Sequence, residues 1–201
     1  VNADPRTITN SATTIGFMLE VVPTSEPESW LHKQQLLING KPTVAGLVLF
    51  AEEPQAVLPK RTGIKLYRYQ TTAEEGTRET LLTDPISIEG DAHAQIREAV
   101  AKTAEIIESV RVNTPDGLEQ VRYPITALHE IITNAVLHRD YSIADDIHIR
   151  IFDNRVEVES PGRLPGHITI QNILKEQFAR NGSMVRLVNK FPNPPNKDVG
   201  E

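Results

Sequence analysis

The chain has 201 residues, a formal net charge of -6 at pH 7 and no cysteine. Its length can hold one large domain or two small ones, while the acidic balance argues against a main nucleic-acid-binding surface, which is normally basic. The absence of cysteine and of any apolar run as long as a membrane span excludes disulfides, thiolate metal sites and a spanning helix, and we expect a cytoplasmic location.

The amino-terminal part of the chain is predicted to hold a polar segment followed by a small α/β unit. Residues 1–28 are polar and broken by prolines, which predicts a linker or the tail of a preceding domain, with one strand at residues 15–22. The unit at residues 29–90 is predicted to begin with a short helix at residues 29–38. Residues 39–42, Asn-Gly-Lys-Pro, are predicted to form a turn.

Two further strands are predicted within this unit. Residues 43–50, TVAGLVLF, form a continuous apolar run of strand length, which we place in the middle of a sheet. Residues 63–69, GIKLYRY, alternate as a half-buried strand. Its basic and tyrosine side chains resemble a nucleic-acid-binding strand, but a solvated edge strand explains them as well, and the acidity of the chain favours the edge strand.

The second half of the chain, residues 91–201, is predicted to form one domain that opens with a long helix. Apolar residues recur at steps of three and four across residues 91–112, and charged residues fill the other face. Residues 113–117, NTPDG, are predicted to form a turn.

A β-hairpin is predicted further along, because apolar and polar residues alternate on both sides of an Asp-Asn pair at residues 153–154. A two-residue turn there pairs Ile151 with Val156 and Ile149 with Val158. This register places all four aliphatic side chains on one face. Asp and Asn both tolerate the left-handed backbone that such a turn is expected to require.

Residues 123–141, YPITALHEIITNAVLHRDY, predict an amphipathic helix that begins near Pro124. Its predicted apolar arc is Leu128, Ile131, Ile132, Ala135 and Val136, extended by Ile125. Its predicted polar arc is Glu130, Thr133, Asn134 and His138. A carboxylate and a carboxamide one turn apart can activate water and hold a hard cation through oxygen. From the spacing alone, a half-buried helix whose Glu130 and Asn134 only bond backbone is favoured over a site.

The run EIITNAVLHRD resembles the N-box of the GHKL ATPase superfamily, whose signature is Glu, three residues, Asn and Ala. The strings NAVLHRDYS, IRIFDNRVEVESPGRLPG and PNPPNKDVGE resemble the GHKL-like region of bacterial transcriptional regulators with an N-terminal Schlafen/AlbA-type DNA-binding domain, often labelled RecG-like helicases. This resemblance covers most of the chain from about residue 36. It implies an α+β fold, a two-layer sandwich of helices on a mixed β-sheet, incomplete here and preceded by the small α/β segment.

The resemblance also implies a site for ATP and Mg²⁺. In family terms, Glu130 is the general base for the attacking water and Asn134 is the magnesium ligand. Arg139 is expected either to approach phosphate or to form a structural ion pair with Asp140 or another carboxylate. The dispersed histidines, His129, His138, His148 and His167, are interpreted as structural.

Two glycine motifs bear on the same site. Ser160 and Leu164 replace the Asp and the second glycine of the family's Asp-x-Gly-x-Gly element, whose Asp bonds adenine, while Gly162 matches its first glycine. A hydroxyl accepts a hydrogen bond without the charge of a carboxylate, and a plain strand-to-loop exit explains Pro-Gly equally well. Gly200 begins what resembles the phosphate-capping glycine box, and we interpret the chain as a fragment that stops there.

Two functions remain open. The first is an ATP-binding, and weakly ATP-hydrolysing, module that switches a DNA-binding transcriptional regulator, with DNA bound by a domain outside this fragment and a homodimer as its assembly. The second is a degenerate GHKL-like scaffold or dimerisation domain without nucleotide activity. Glu130 and Asn134 favour the first, whereas Ser160 and Leu164 favour the second. A helicase has little support, because the sequence contains no Walker-type loop.

Overall fold

A computed structural model describes residues 1–58, 61–114, 117–163, 171 and 179–191, whose helices pack on a mixed four-stranded sheet. The helices are α1 (Arg6–Thr9), α2 (Ala12–Val21), α3 (Pro27–Lys33), α4 (Val44–Phe50), α5 (Pro54–Val57), α6 (Ala92–Ser109), α7 (Ile125–Leu137) and α8 (Gly182–Val188). The strands are β1 (Leu37–Ile38), β2 (Lys41–Pro42), β3 (Ile64–Arg68), β4 (Ile86–Ile88), β5 (Arg111–Thr114), β6 (Gly117–Gln120), β7 (Ile147–Ile151) and β8 (Val156–Glu159). The α+β fold class is therefore confirmed.

The main sheet has the strand order β4-β3-β7-β8. Strands β3 and β7 are parallel, whereas β4 and β8 join antiparallel at the two sides. The predicted strand at residues 63–69 is confirmed as β3, but it is central, so the predicted edge position is wrong. Its alternate residues Ile64, Leu66 and Arg68 are buried, and Arg68 forms an ion pair with Asp153 instead of facing solvent.

The β7–β8 hairpin has the predicted register, with Ile151 opposite Val156 and Ile149 opposite Val158. The two isoleucines are fully buried, and the two valines are half-buried. Backbone N–H of Phe152 donates to the carbonyl of Arg155 at 2.8 Å, which leaves a two-residue turn at residues 153–154. Neither turn residue has a positive φ, so the predicted left-handed backbone is wrong; turns with negative φ at both central positions also reverse the chain.

The apolar runs predicted as strands at residues 15–22 and 43–50 are helical instead, in α2 and α4. Each helix is started by a hydroxyl cap: Thr43 Oγ1 accepts from the backbone N–H of Gly46 at 3.1 Å, and Ser11 caps α2 in the same way. In α4 every residue from Gly46 onward is buried. A run that is apolar all round carries no period, so a buried helix and a buried strand have the same sequence pattern.

The other predicted elements are found with shifted ends. Asp91 caps α6 by accepting from Ala94 N at 2.9 Å, which confirms the long helix. The predicted helix at residues 29–38 corresponds to α3, which ends at Lys33. The last two residues of the predicted range, Leu37 and Ile38, form β1 instead. Asn39 and Gly40 have φ of 51° and 70° and turn the chain between β1 and β2, as predicted. The predicted turn at residues 113–117 lies partly outside the described residues.

One hydrophobic core joins the segments that the sequence divides at residues 28 and 90. Phe17 of α2 lies 5.2 Å from the ring of Trp30, 5.3 Å from Phe50 and 4.9 Å from Phe191. Residues 1–28 thus contribute helices and buried aromatic surface to this core. The division into 1–28, 29–90 and 91–201 stays a prediction. Across the described ranges, no helix combines the length and apolarity needed to cross a membrane.

Candidate nucleotide-binding site

Helix α7 follows Pro124, whose φ is -57°, and carries the predicted carboxylate and carboxamide. The predicted apolar arc is buried at Leu128, Ile132, Ala135 and Val136. The prediction is wrong for Ile125 and Ile131, which are 49% and 48% exposed, and for Thr133, which is fully buried. The buried stripe is rotated because α7 packs against α6.

Glu130 and Asn134 lie one turn apart on α7 in different environments. The Glu130 side chain is exposed, whereas Asn134 is half-buried. The Oδ1 atom of Asn134 is shielded from solvent and has no hydrogen-bond partner within the part of the chain that the structure describes. A buried acceptor left without a donor costs about 1–3 kcal/mol, so this atom has the capacity to accept a hydrogen bond or to bind a cation. An amide oxygen suits a hard cation such as Mg²⁺. The roles of both residues stay predictions.

The chain leaving β8 runs along the C-terminal half of α7. Ser160 Oγ donates to the backbone carbonyl of Ala135 at 2.7 Å, one residue beyond Asn134. Backbone N–H of Asp140 donates to the carbonyl of Pro161 at 2.8 Å. Gly162 has φ of +145°, and a Cβ there would lie 3.3 Å from the Cβ of Asp140, so a side chain would be both strained and crowded. Leu164 lies outside the described residues.

Arg139 lies behind this site. Its side chain is 1% exposed and donates to the carbonyl oxygens of Gly63 at 3.3 Å, of Arg61 and of Asp145. Burial lowers the pKa of the Arg139 guanidinium, and its carbon lies 5.2 Å from the centre of the Tyr141 ring. Enclosure by carbonyls favours a structural role, although through backbone and not through the predicted carboxylate. Its contact with phosphate stays a prediction.

Arg180 and Asn181, to which sequence reasoning assigned no chemistry, contact both α7 and the chain that leaves β8. Arg180 Nη1 donates to Asp140 Oδ2 at 2.9 Å, and its Nη2 donates to the carbonyl of Arg163. Asn181 Nδ2 donates at 2.8 Å to the carbonyls of both Leu137 and Arg139. The Arg-Asn pair in the sequence was the available signal, but its partners lie 17 to 44 residues away and could not be inferred from spacing. Gly200 lies outside the described residues.

The histidines have individual environments. His129 Nδ1 lies 3.4 Å from Thr133 Oγ1, and burial, with a smaller effect of His93, lowers the pKa of His129. His148 lies 3.1 Å from Tyr67 Oη and 3.2 Å from Asp145 Oδ1. His167 lies outside the described residues, and among those described no three His, Asp or Glu side chains gather as a metal site.

The family model described as "Putative ATP-dependent DNA helicase recG C-terminal" matches residues 144–200. This match supports an ATPase-type domain of the GHKL-like kind, and such a domain indicates ATP binding, usually with Mg²⁺. The matched residues include β7, β8 and the exit with Ser160 and Gly162, whereas α7 with Glu130 and Asn134 precedes them. No curated protein matches the chain.

Among solved structures, the chain is similar to the DIP2311 protein from Corynebacterium diphtheriae. The TM-score is 0.66 at 20% sequence identity, and the likeness covers 94% of this chain. At that identity the likeness shows a shared fold alone. The chain spans 38% of the length of the DIP2311 chain.

Proposed function

We propose that this chain is the ATP-binding module of a bacterial transcriptional regulator, with Asn134 as the magnesium ligand and Glu130 as the general base. The observation that carries the proposal is the buried, unpartnered Oδ1 of Asn134, on the helix that resembles the superfamily's N-box. The ATPase-type match at residues 144–200 supports it independently, because it covers the neighbouring hairpin and not this helix.

The amide oxygen of Asn134 can serve as a protein ligand for magnesium when substrate phosphates and water complete the coordination. Magnesium gives up its water reluctantly and is commonly held by one or two protein oxygens together with substrate phosphates. A cation at Asn134 Oδ1 would satisfy the buried acceptor and offset its desolvation. The rigidity of α7, packed against α6, keeps that oxygen in place.

Glu130 and the chain leaving β8 take separate tasks. The exposed carboxylate of Glu130 is free of the core and can accept a proton from water, so the module would also hydrolyse ATP. The Ser160 hydroxyl donates its hydrogen bond to the Ala135 carbonyl. The lone pairs of Ser160 Oγ are then left to accept a hydrogen bond from adenine. Gly162 and Gly200 would provide backbone that approaches the nucleotide closely. The carbonyls that enclose the Arg139 guanidinium favour a structural role for this residue, and its contact with phosphate stays a prediction.

A second candidate is a GHKL-like scaffold or dimerisation domain without nucleotide activity. The hydrogen bond from Ser160 Oγ to Ala135 O favours it, since this contact ties β8 to α7 in a position where the superfamily has an adenine-binding Asp. In either case, we propose that DNA is bound by a domain outside this chain and that ATP or dimerisation controls that domain.

Three variants of the full-length protein separate these functions. Asn134→Ala should abolish magnesium-dependent ATP binding, measured by filter binding. Glu130→Gln should leave binding largely intact and reduce phosphate release by about 10²–10⁴-fold, because a general base acts in the transition state and hardly in the bound ground state. Asn154→Ala, at the exposed hairpin tip, is the matched control and should change neither. Equal ATP affinity in wild type and Asn134→Ala would remove the magnesium role, and no ATP binding by wild type would favour the scaffold.

A further inference from the structure

Arg180 and Asn181 form a bracket that holds together the two elements of the proposed nucleotide site. One element is α7 with the residues that follow it, and the other is the chain leaving β8. The sequence separates the bracket from its side-chain and carbonyl partners on the first element by 40 to 44 residues. Contacts of that range are tertiary, so they fix where the two elements lie relative to one another.

Asn181 holds the end of α7. Its single amide nitrogen donates to the carbonyls of Leu137, the last helical residue, and of Arg139, both at 2.8 Å. The final carbonyls of a helix have no partner within the helix, so a side-chain donor there fixes the helix end. The same amide nitrogen also donates to the carbonyl of Arg139, the residue before Asp140. Asn181 therefore holds the segment that follows α7 as well as the end of the helix.

Arg180 joins that helix end to the chain leaving β8. Its Nη1 forms an ion pair with Asp140 at 2.9 Å, and its Nη2 donates to the carbonyl of Arg163. The two side chains of the ion pair are 27% and 26% exposed, so solvent only partly screens it. A Cβ built on Gly162 would lie 3.7 Å from Arg180 Nη2, which places the guanidinium beside the glycine.

We propose that Arg180 and Asn181 are positioning residues that hold Asn134 at the correct distance from Gly162. This role rests on the proposed function. Free ATP engages mainly the chain leaving β8, whereas Mg²⁺-ATP engages that chain and Asn134 together. The spacing of the two elements therefore governs the gain in affinity that magnesium gives, and not the affinity for ATP alone.

The experiment measures ATP affinity of the full-length protein with and without magnesium. Arg180→Ala and Asn181→Ala should reduce the gain that magnesium gives by about 2- to 30-fold and leave magnesium-free affinity close to wild type. A bracket that only stabilises the fold would lower both affinities by the same factor, which would overturn the proposal. Arg180→Lys keeps the ion pair without the planar fork and should fall between wild type and Arg180→Ala.

The matched control is Arg150→Ala. Arg150 also forms a half-exposed ion pair, with Glu159 at 2.6 Å and a side chain 29% exposed, but it joins β7 to β8 and not to α7. It should leave the magnesium gain unchanged. Thermal unfolding of each variant identifies any that fail to fold, and Arg180→Lys then carries the test.

Hydrogen exchange separates failure of the bracket from failure of the proposed function. The amide of Asp140 donates to Pro161 O across the two elements, so it should be protected in wild type and exchange faster in Arg180→Ala but not in Arg150→Ala. Unchanged exchange in Arg180→Ala would refute the bracket whether or not ATP binds. If wild type binds no ATP while this exchange pattern holds, the nucleotide function and the positioning role fail, and the structural link remains.

Discussion

Replacing Arg139 with alanine should destabilise the fold by about 3–5 kcal/mol, because it leaves buried carbonyl oxygens without donors and removes a large buried side chain. The guanidinium is 1% exposed and donates to three backbone carbonyls, from Gly63, Arg61 and Asp145. Alanine removes all three hydrogen bonds and leaves a cavity where a large buried side chain had packed. For a domain of this size the loss corresponds to a fall in melting temperature of roughly 6–20 °C.

Urea unfolding followed by circular dichroism measures this loss, with thermal melting as a second readout. Arg139→Lys should be less destabilising, since it keeps the charge but lacks the planar fork. Arg150→Ala, which removes a half-exposed ion pair, should change stability by only about 0–1 kcal/mol. If the free energy of unfolding of Arg139→Ala lies within about 1 kcal/mol of the wild-type value and the variant no longer binds ATP, Arg139 is a phosphate ligand and the structural interpretation is refuted.

Three other outcomes are expected. Ile151→Ala should lower the free energy of unfolding by about 2–5 kcal/mol, measured in urea, because Ile151 is 1% exposed and borders a cavity of about 190 Å³ that the substitution would enlarge. A decrease below about 0.5 kcal/mol would refute the burial of Ile151. Burial lowers the pKa of His93 and His129 below the ordinary 6.5, so below about pH 6.5 the unfolded chain binds more protons than the folded chain and stability falls. The His93→Gln, His129→Gln double variant should flatten this dependence of unfolding free energy on pH, and an unchanged slope would show that neither histidine causes it. Gly162→Ala should destabilise by about 1 kcal/mol or more, because φ is +145° there, and unchanged thermal stability would contradict the backbone assignment.

The sequence predicted best where a strict period met a defined turn. The β7–β8 register followed from alternation on both sides of residues 153–154, and a shift of one residue would have exposed Ile149 and Ile151. The sequence predicted worst in residues 43–50, where every residue after Thr43 is apolar or glycine and neither period is visible. The capping hydroxyl of Thr43, three residues before Gly46, was the local signal that identifies α4 as a helix.

The candidate site divides in the same way. The sequence could predict that Glu130 and Asn134 lie one helical turn apart on one face, because both residues belong to the same helix. The burial of Asn134 Oδ1, the enclosure of Arg139 and the contacts of Arg180 depend on how distant elements pack, which no local pattern encodes. The rotation of α7 that exposes Ile131 is likewise set by its neighbours and not by its own sequence.

Calorimetric titration of the full-length protein with ATP, with and without magnesium, tests the central claim most directly. We expect magnesium to strengthen ATP binding in wild type and in Asn154→Ala. The magnesium effect should be lost in Asn134→Ala, because the buried Oδ1 of Asn134 is the proposed ligand. An unchanged magnesium effect in Asn134→Ala, or no ATP binding by wild type, would contradict the central claim.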